Sequence, residues 1–318
     1  MADLCAQESS EWPLWTRKDV ERETPSRKDG ISFAKETQCR RTAGMFLAEA
    51  GKNLKVPQLT IATATVFYNR FFVVQSLKHH DHMIIASSAM FLACKVEETP
   101  RNLIDVIKVT YTLQFRNNPD KLKLLSNKEV FHSRMDAVLF GERVLLHVLA
   151  FDLDIEHPYI YLVQGRKKLP VGFPETEGLK LLQCAWNIVN DSLKMSTVCL
   201  EQTPRDVGAA AFLLACKWTN LLPRLGSDSG AGFFRQIFRV SMTHIENLSR
   251  SMLELYAGAK EQGGEGTGTM QPLEKGTVEA DYRVRGDALG TGGFEQDQKA
   301  SIKDPLDLGH LEDGELPG

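Results

Sequence analysis

The sequence predicts an all-α protein made of two similar five-helix bundles and a disordered C-terminal tail. Up to about residue 260, apolar residues recur every three or four positions, the period of an amphipathic helix, and the alternating runs typical of strands are missing. An internal repeat predicts the two bundles. Residues 89–95 read AMFLACK and residues 211–217 read AFLLACK, so five of seven positions match at an offset of 122. From residue 261 the chain is rich in glycine and acidic residues and loses its periodicity, which predicts disorder.

The composition is that of a soluble globular protein. The 318 residues are 42% hydrophobic and 25% charged, which excludes a wholly disordered chain, a collagen-like fibre and a coiled-coil rod. The net charge of −3 combines a basic body with an acidic tail, residues 261–318, that carries 13 acidic and 5 basic side chains. Six dispersed cysteines without a CxxC pair indicate a reducing compartment. No apolar run reaches the ~18–20 residues of a membrane span, so a soluble intracellular protein is expected.

Caps and breakers mark the predicted helices in the first half of the chain. A short helix begins near Thr16, and Ser32 and Asp81 are typical N-cap residues of two later helices. Pro57 suits the first turn of the helix between those two, and Gly51 is interpreted as the stop that precedes it. The predicted helices cover about 16–23, 32–51, 57–76, 82–95, 102–115 and 127–149.

The helical pattern restarts after Phe151. Pro158 begins a helix, and further helices are predicted over about 176–195, 205–218, 233–239 and 242–260. Four regions are therefore expected: an N-terminal extension with a short helix over 1–31, a first bundle over 32–151, a second bundle over 152–260, and the tail over 261–318.

Glu142 is the most informative single residue, because it interrupts an apolar stripe. The stripe follows helical steps and consists of Phe131, Met135, Val138, Glu142, Leu145 and Leu149. The carboxylate either reaches solvent at the edge of the stripe or pairs with a cation inside the domain or across an interface, since an unpaired buried charge costs several kcal/mol. Lys95 is the natural partner. Lys95 also lies at the negative end of its helix dipole, and a favourable charge at that position stabilises a helix by about 0.3–1 kcal/mol.

Three other clusters each have a structural and a functional interpretation. The acidic turn, residues 97–100, is either a solvated loop or a docking point for arginines of a partner. The three histidines of segment 79–82 are better explained by an N-cap role for Asp81 than by a metal site, so no metal is expected. The basic residues 166–168 are a solvated helix end or a phosphate contact. No phosphate-binding glycine loop, HExxH, GxSxG or kinase motif set is present, so neither an enzyme nor a cofactor is expected.

Eight short segments in a fixed order carry a family resemblance. They are KVPQLTIATA at 55–64, NRFF at 69–72, FLACKVEETP at 91–100, DVIKV at 105–109, FDL at 151–153, HPY at 157–159, AW at 185–186 and NDSL at 190–193. This series resembles the cyclins, and among them the transcription-elongation group of cyclin T and cyclin K. It is most similar to plant-type cyclin T. The resemblance covers about residues 12–260.

The resemblance implies a non-catalytic subunit that forms a heterodimer with a cyclin-dependent kinase. The two bundles would be tandem cyclin boxes, the first of which holds the mobile helix and activation segment of the kinase in the active arrangement. In the family a lysine and a glutamate of the first box bond to the kinase, and Lys95 and Glu142 fall on those positions. Glu98 and Phe151 match positions at the kinase-facing edge. Arg40 matches the first-helix arginine that braces the box.

The elongation group implies a role in transcription. The partner kinase would phosphorylate the C-terminal repeats of RNA polymerase II in the nucleus, with the polymerase tail and elongation factors as further partners. Neither direct nucleic-acid binding nor membrane association is expected. The alternative is a general transcription adaptor of cyclin-like fold that binds polymerase and DNA, for which a strongly basic second box and an N-terminal zinc ribbon are expected and not found.

Four residues depart from the family pattern. Small residues are usual where Cys94 stands, and Gly141, directly before Glu142, is a poor helix former. Phe233 and Phe234 replace a tryptophan pair of the second box. This last departure concerns the surface of the second box and leaves the kinase-facing residues unchanged.

Overall fold

The computed structural model describes residues 12–226 and 230–261, the last five of these as helical backbone only. The predicted disordered tail lies outside the described residues, except for Glu261, which ends the last helix. The first 11 residues of the N-terminal extension lie outside them as well.

All regular structure in the described residues is helical, which confirms the all-α prediction. The extension and the first half contain α1 (Arg17–Arg22), α2 (Pro25–Lys28), α3 (Phe33–Asn53), α4 (Gln58–Val74), α5 (His82–Val96), α6 (Leu103–Gln114), α7 (Pro119–Leu124) and α8 (Lys128–Val148). The second half contains α9 (Tyr159–Lys167), α10 (Glu175–Met195), α11 (Val198–Glu201), α12 (Pro204–Trp218), a 3₁₀ turn (Leu222–Leu225), α13 (Ala231–Phe238) and α14 (Met242–Glu261). The sequence did not predict α2, α7, α11 and the 3₁₀ turn. Each has only four to six residues, too few for the helical repeat of apolar residues to show.

Side chains cap two helices where the sequence predicts them to start. Ser32 Oγ accepts a hydrogen bond from the N–H of Lys35 at 3.3 Å. Asp81 Oδ1 accepts one from the N–H of Met83 at 2.8 Å. Both N-cap predictions are therefore confirmed. These bonds satisfy donors that the first turn of a helix otherwise leaves without a partner.

Gly51 does not end its helix, so that prediction is wrong. The helix α3 continues to Asn53, and Gly51 is buried inside it. A Cβ atom at this position would lie 2.3 Å from the side chain of Ile61 on α4. The glycine is needed for the close approach of two helices rather than for a turn.

Each half of the chain has its own hydrophobic core. The first is centred on α4 and α5, and α4 is buried nearly all round as its composition predicts. Its largest fully buried side chains are Phe67, Tyr68, Phe71 and Phe72. The second core surrounds α12, where the ring of Phe212 lies 6.3 Å from that of Phe234 and 5.6 Å from that of Phe238. Phe234, one of the residues that replace the tryptophan pair, is therefore a core residue.

The two halves meet where α3 crosses α10. A Cβ atom on Gly44 would lie 2.3 Å from the carbonyl oxygen of Lys194, so the two backbones are in direct contact. Beside this crossing, Nε of Arg41 donates to the carbonyl oxygen of Met195, the last residue of α10, at 3.2 Å. Ala62 of α4 is buried within the second core. The described residues of the two halves therefore pack against each other as a single unit.

The internal repeat lies on two helices of equal length with the same C-terminal geometry. Both α5 and α12 have 15 residues. After α5, the N–H of Thr99 donates to the carbonyl oxygen of Cys94 at 2.9 Å. After α12, the N–H of Leu221 donates to that of Cys216, also at 2.9 Å. This is a Schellman motif, in which one residue past the helix adopts left-handed backbone geometry. Here that residue is Glu98 (φ 54°) or Asn220 (φ 56°).

The same motif also ends α3 and α8, where the N–H groups of Val56 and Phe151 donate to the carbonyl oxygens of Gly51 and Leu146. The two repeat helices therefore share a common helix end rather than one specific to the repeat.

The N-terminal extension is anchored to both halves. The hydroxyl of Thr24 and the guanidinium of Arg27 both donate to Oε2 of Glu36 on α3, at 2.9 and 2.7 Å. The N–H of Trp15 donates to the carbonyl oxygen of Leu200 on α11 at 2.9 Å. The extension thus bridges the first and second halves.

Candidate functional site

The packing of α5 against α8 brings Lys95 and Glu142 together. Nζ of Lys95 lies 2.7 Å from Oε1 of Glu142 and 3.0 Å from Oε2. The side chain of Glu142 is only 10% exposed, whereas that of Lys95 is 48% exposed. The prediction that this carboxylate pairs with a cation is confirmed, and the alternative of an edge position in solvent is wrong. No periodicity links the two residues, which are 47 positions apart, but a charge within an apolar stripe was a sufficient signal.

Lys95 is held in place from two sides and remains accessible. Its ammonium group lies 4.1 Å from the ring centroid of Phe91, one turn earlier on α5, which is the distance of a cation–π contact. The nearly buried carboxylate of Glu142 fixes the same group from the other helix. An ammonium has three donors, so a half-exposed and immobilised one can still bond to carbonyl or carboxylate oxygens of another chain.

The acidic turn that follows α5 is anchored by a hydrogen-bond relay. The hydroxyl of Thr63 on α4 donates to Oε1 of Glu97 at 2.6 Å and lies 2.7 Å from Nε2 of His157. Because a hydroxyl has one proton and the carboxylate takes it, the imidazole must donate its Nε2 proton to Thr63. The neighbouring Glu98 is exposed. The turn therefore has one fixed carboxylate and one available carboxylate.

Phe151 projects into solvent directly after α8. Its side chain is 68% exposed, and its backbone has a left-handed φ of 60°. The next residue, Asp152, accepts a hydrogen bond from Arg70 of α4 at 3.2 Å, and the guanidinium of Arg70 lies 4.8 Å from the ring centroid of Trp12. A single exposed phenylalanine is ordinary on a protein surface, so the assignment of Phe151 to the kinase-facing edge rests on the resemblance and stays a prediction.

Arg40 connects α3 to α4 inside the first core. Its guanidinium donates to Oε1 of Glu36 at 2.8 Å and to Oδ1 of Asn69 at 2.9 Å. Glu36 is buried as well and also accepts from Arg27, so its carboxylate is shared by two arginines. Fully hydrogen-bonded arrangements of this kind are the ones in which buried charges are tolerated.

Four of the predicted site residues belong to two adjacent helices and the turns that follow them. Lys95 is in the last turn of α5 and Glu98 follows it, while Glu142 lies within α8 and Phe151 follows that helix. Among the described residues, Lys95 and Glu142 are joined by their side chains. Glu98 bonds to Lys95 through the backbone, from its N–H to the carbonyl oxygen of Lys95 at 3.2 Å. The sequence did not indicate the relay through Thr63, since its partners are 34 and 94 positions away and share no pattern.

Cys94, His80 and His82 are partly or fully buried, whereas His79 is exposed and lies 3.3 Å from the carboxylate of Asp29. Burial raises the pKa of the Cys94 thiol to about 11, so this side chain is a neutral core group. Burial also lowers the pKa of His80 and His82. Across residues 12–226 and 230–261, no group of three or more His, Cys, Asp or Glu side chains is arranged to hold a metal ion. Over the same ranges, no helix has the length and apolarity needed to cross a bilayer.

Sequence comparisons match this chain to cyclins. The profile of the cyclin N-terminal domain matches residues 14–154. The chain is 40% identical to cyclin-T1-5 of Arabidopsis thaliana over 287 residues, which are 87% of this chain and 48% of that protein. It is 43% identical to cyclin-T1-3 of Oryza sativa subsp. japonica over 242 residues, 76% of this chain and 48% of that one. A protein named as a cyclin-T1-1 of Arabidopsis thaliana is 37% identical over 244 residues and is covered to 92% of its length.

The chain spans about half the length of the first relatives it matches. Two solved structures share its fold. A chain of the yeast RNA polymerase II CTD kinase CTDK-1 complex aligns with a TM-score of 0.63 and 20% identity, over 87% of this chain and 83% of that chain. A chain of the CAK complex from Chaetomium thermophilum aligns with a TM-score of 0.60 and 20% identity, over 92% and 97%.

Proposed function

Since this chain belongs to the cyclin family, we propose that it is the non-catalytic regulatory subunit of a cyclin-dependent serine/threonine kinase. It would bind the kinase catalytic subunit as a heterodimer and hold the mobile helix of the kinase in the active position, where a glutamate on that helix pairs with the ATP-positioning lysine. The relatives that support this proposal are named as T-type cyclins, and the structural neighbours are kinase complexes.

The observation that carries the proposal is the pair of Lys95 and Glu142. A nearly buried glutamate fixes a half-exposed ammonium at a distance of 2.7 Å. Such a group loses little rotamer freedom when a partner binds, because it is already immobilised. We propose that Lys95 and Glu142 bond to the kinase, and that Glu98 and Phe151 contact it at the two neighbouring turns.

We assign the kinase-binding box to residues 32–151 and the second box to residues 152–260. In this assignment Arg40 braces the first box through its bonds to Glu36 and Asn69.

The proposed substrate of the complex is the C-terminal domain of RNA polymerase II, whose phosphorylation promotes elongation. The T-type names of the relatives support this substrate, as does the yeast structural neighbour, which belongs to a complex named as an RNA polymerase II CTD kinase. A nuclear location follows from this role. The polymerase tail and elongation factors would be the further partners.

The test is activation of a kinase by the purified full-length chain. The chain is co-purified with candidate cyclin-dependent kinase subunits, and each complex is assayed on a peptide of polymerase C-terminal repeats. We expect the double variant Lys95→Ala with Glu142→Ala to lower activation at least about 30-fold, the effect of losing an interface hot spot, while its circular dichroism stays unchanged.

A matched control is available on the repeat helix. Lys217 of α12 corresponds to Lys95 at the offset of 122 and is exposed. Lys217→Ala should activate the kinase like the wild type. Full activation by the double variant would exclude the assigned roles of Lys95 and Glu142. Failure of the wild-type chain to activate any of the kinases would contradict the proposed function itself.

A further inference from the structure

Gly141 faces Ser88 at the point where α8 packs against α5. A Cβ atom on Gly141 would lie 2.4 Å from Oγ of Ser88 and 3.2 Å from its Cβ. Both residues are fully or nearly fully buried. Distances below 3.0 Å are essentially never seen at real Cβ atoms, so a larger residue here requires either that the two helices separate or that the buried Ser88 hydroxyl leaves its hydrogen bonds. The glycine is therefore a spacing residue between α5 and α8, one position before Glu142.

The hydroxyl of Ser88 makes a hydrogen bond across the same contact. Its Oγ lies 2.9 Å from the carbonyl oxygen of Val138 on α8 and 2.9 Å from that of Ile84 in its own helix. In an α-helix the carbonyl of residue 138 also accepts the N–H of residue 142. Ser88 thus bonds to the backbone carbonyl that also accepts the N–H of Glu142.

Ser88 and Lys95 lie on one stripe of α5, with Phe91 between them. The steps of three and four residues place all three side chains on the face that meets α8. The ammonium of Lys95 contacts both the ring of Phe91 and the carboxylate of Glu142. The separation of the two helices at Ser88 therefore sets how far the carboxylate is from the ammonium, two turns along the same stripe.

We propose that Ser88 and Gly141 are positioning residues that set the geometry of the ion pair between Lys95 and Glu142, and through it the binding of the kinase. This inference rests on the proposed function. It explains why a poor helix former stands directly before the glutamate. In α8, alanine would be a better helix former at this position. The close contact with Ser88 requires glycine in spite of that preference.

The first experiment compares alanine at Gly141 with alanine at a glycine that has room for it. In full-length protein, Gly141→Ala places a methyl group 2.4 Å from the Ser88 hydroxyl. Where that buried hydroxyl keeps its bonds to Val138 and Ile84, α8 must move away by on the order of 1 Å. We expect the concentration needed for half-maximal kinase activation to rise about tenfold or more, the size of effect that small misplacements of a functional group produce. The control is Gly178→Ala on α10, where the nearest side-chain atom would be 3.4 Å away. It should activate like the wild type.

The decisive variant removes the clash from the other side. In Ser88→Ala with Gly141→Ala, the hydroxyl oxygen is gone and the nearest contact becomes the 3.2 Å separation between the two Cβ atoms. We expect activation to return to within about threefold of the wild type, since a shift of a few tenths of an ångström suffices. If Gly141→Ala alone does not fold, this double variant decides. Recovery of both folding and activation supports the proposal, and a folded but inactive protein overturns it.

A measurement without the kinase separates this inference from the proposed function. The coupling between Lys95→Met and Glu142→Gln is obtained from a double-mutant cycle on urea unfolding. We expect a measurable coupling in the wild-type background, none with Gly141→Ala, and its return when Ser88→Ala is added. Equal coupling in all three backgrounds overturns the positioning role even if the chain activates a kinase. The expected pattern in a chain that activates no kinase would support the positioning of the ion pair and contradict only the kinase-binding function.

Discussion

Two residues with unfavourable backbone geometry occupy equivalent positions in the two halves. Glu98 and Asn220 both adopt left-handed φ values, 54° and 56°, in the Schellman motifs after α5 and α12. Asparagine is common at this position and glutamate is not, because a side chain with Cβ costs roughly 1–2 kcal/mol there. The first half therefore keeps an exposed carboxylate at a position where a glycine would be more stable.

Glu98→Gly should separate stability from binding. The glycine removes the backbone strain but gains entropy when unfolded, so the free energy of unfolding is expected to rise by about 0–1 kcal/mol in urea titrations. Kinase activation is expected to fall, because the exposed carboxylate is lost. Asn220→Gly, the matched change in the other half, should leave activation unaltered. A Glu98→Gly protein with normal activation would show that this carboxylate does not contact the kinase.

Glu36 should be the most sensitive charged residue of the first half. Its carboxylate is 2% exposed and lies between Arg27 and Arg40 at 2.7 and 2.8 Å. Glu36→Ala removes the carboxylate that both guanidinium groups bond to. We therefore expect the free energy of unfolding to fall by about 3–5 kcal/mol in urea titrations. Glu49→Ala removes the partner of Arg116 from an exposed pair. This control should cost less than about 1 kcal/mol, and an equal loss in both variants would argue against the buried network.

The sequence indicated buried charges but not hydrogen-bond relays. Glu142 was predictable because its charge interrupts an apolar stripe, and Lys95, at the end of a predicted helix, was predicted as its partner. The relay from Glu97 through Thr63 to His157 could not be predicted. Polar residues at a turn have many possible partners, and the correct ones here come from distant segments. The close contacts of Gly44 and Gly141 were equally hidden. A glycine within a helix indicates weak propensity, but it does not show which neighbour requires its small size.

At the scale of elements, helix starts were predictable and helix ends less so. Ser32 and Asp81 cap their helices through local bonds that the sequence itself specifies. Gly51 was misinterpreted because a glycine before a proline resembles a stop, whereas the packing of α4 against α3 explains it. Tertiary contacts therefore decided the positions where local propensity gave the wrong answer.

The crossing of α3 and α10 at Gly44 should be intolerant of any side chain. A Cβ atom there would meet the backbone oxygen of Lys194 at 2.3 Å, and a backbone cannot rotate away as a side chain can. We expect Gly44→Ala to lower the free energy of unfolding by about 1–3 kcal/mol, as overpacking does in cores. Gly178→Ala again serves as the control, with an expected change near zero or slightly stabilising. Differential scanning calorimetry of both proteins measures the difference, and a stable Gly44→Ala would mean that the helices separate easily.

At the scale of the whole molecule, the two halves pack directly against each other and are not linked by the chain alone. Gly44 and Arg41 of the first half contact the backbone of α10, and Ala62 is buried in the second core. The N-terminal extension adds a further bond through Trp15 to Leu200. Interfaces of this closeness couple the folding of neighbouring units.

The two halves are therefore expected to unfold in one transition. Trp12 packs against the first core, Trp186 and Trp218 lie on α10 and α12, and Trp15 of the extension bonds to Leu200 of the second half. A variant that keeps only Trp12 therefore reports the first half by fluorescence, and one that keeps only Trp186 and Trp218 reports the second, with phenylalanine at the other positions. Each should unfold in one step, and in each protein circular dichroism should give the same urea midpoint as fluorescence. Midpoints that differ by more than the fitting error would reveal two independent units.

The duplicated helix end has a consequence for stoichiometry. Within the described residues the same backbone turn ends five helices, α2, α3, α5, α8 and α12, and after α5 and α12 it follows a lysine of the repeat. Only the turn after α5 has the charged residues to which kinase binding is assigned. Lys95 is paired with Glu142 and is followed by two glutamates, whereas Lys217 has no ion pair within the described residues and is followed by Trp218 and Thr219. A molecule with internal two-fold similarity would otherwise offer two equal sites. Its charge asymmetry favours one kinase per chain.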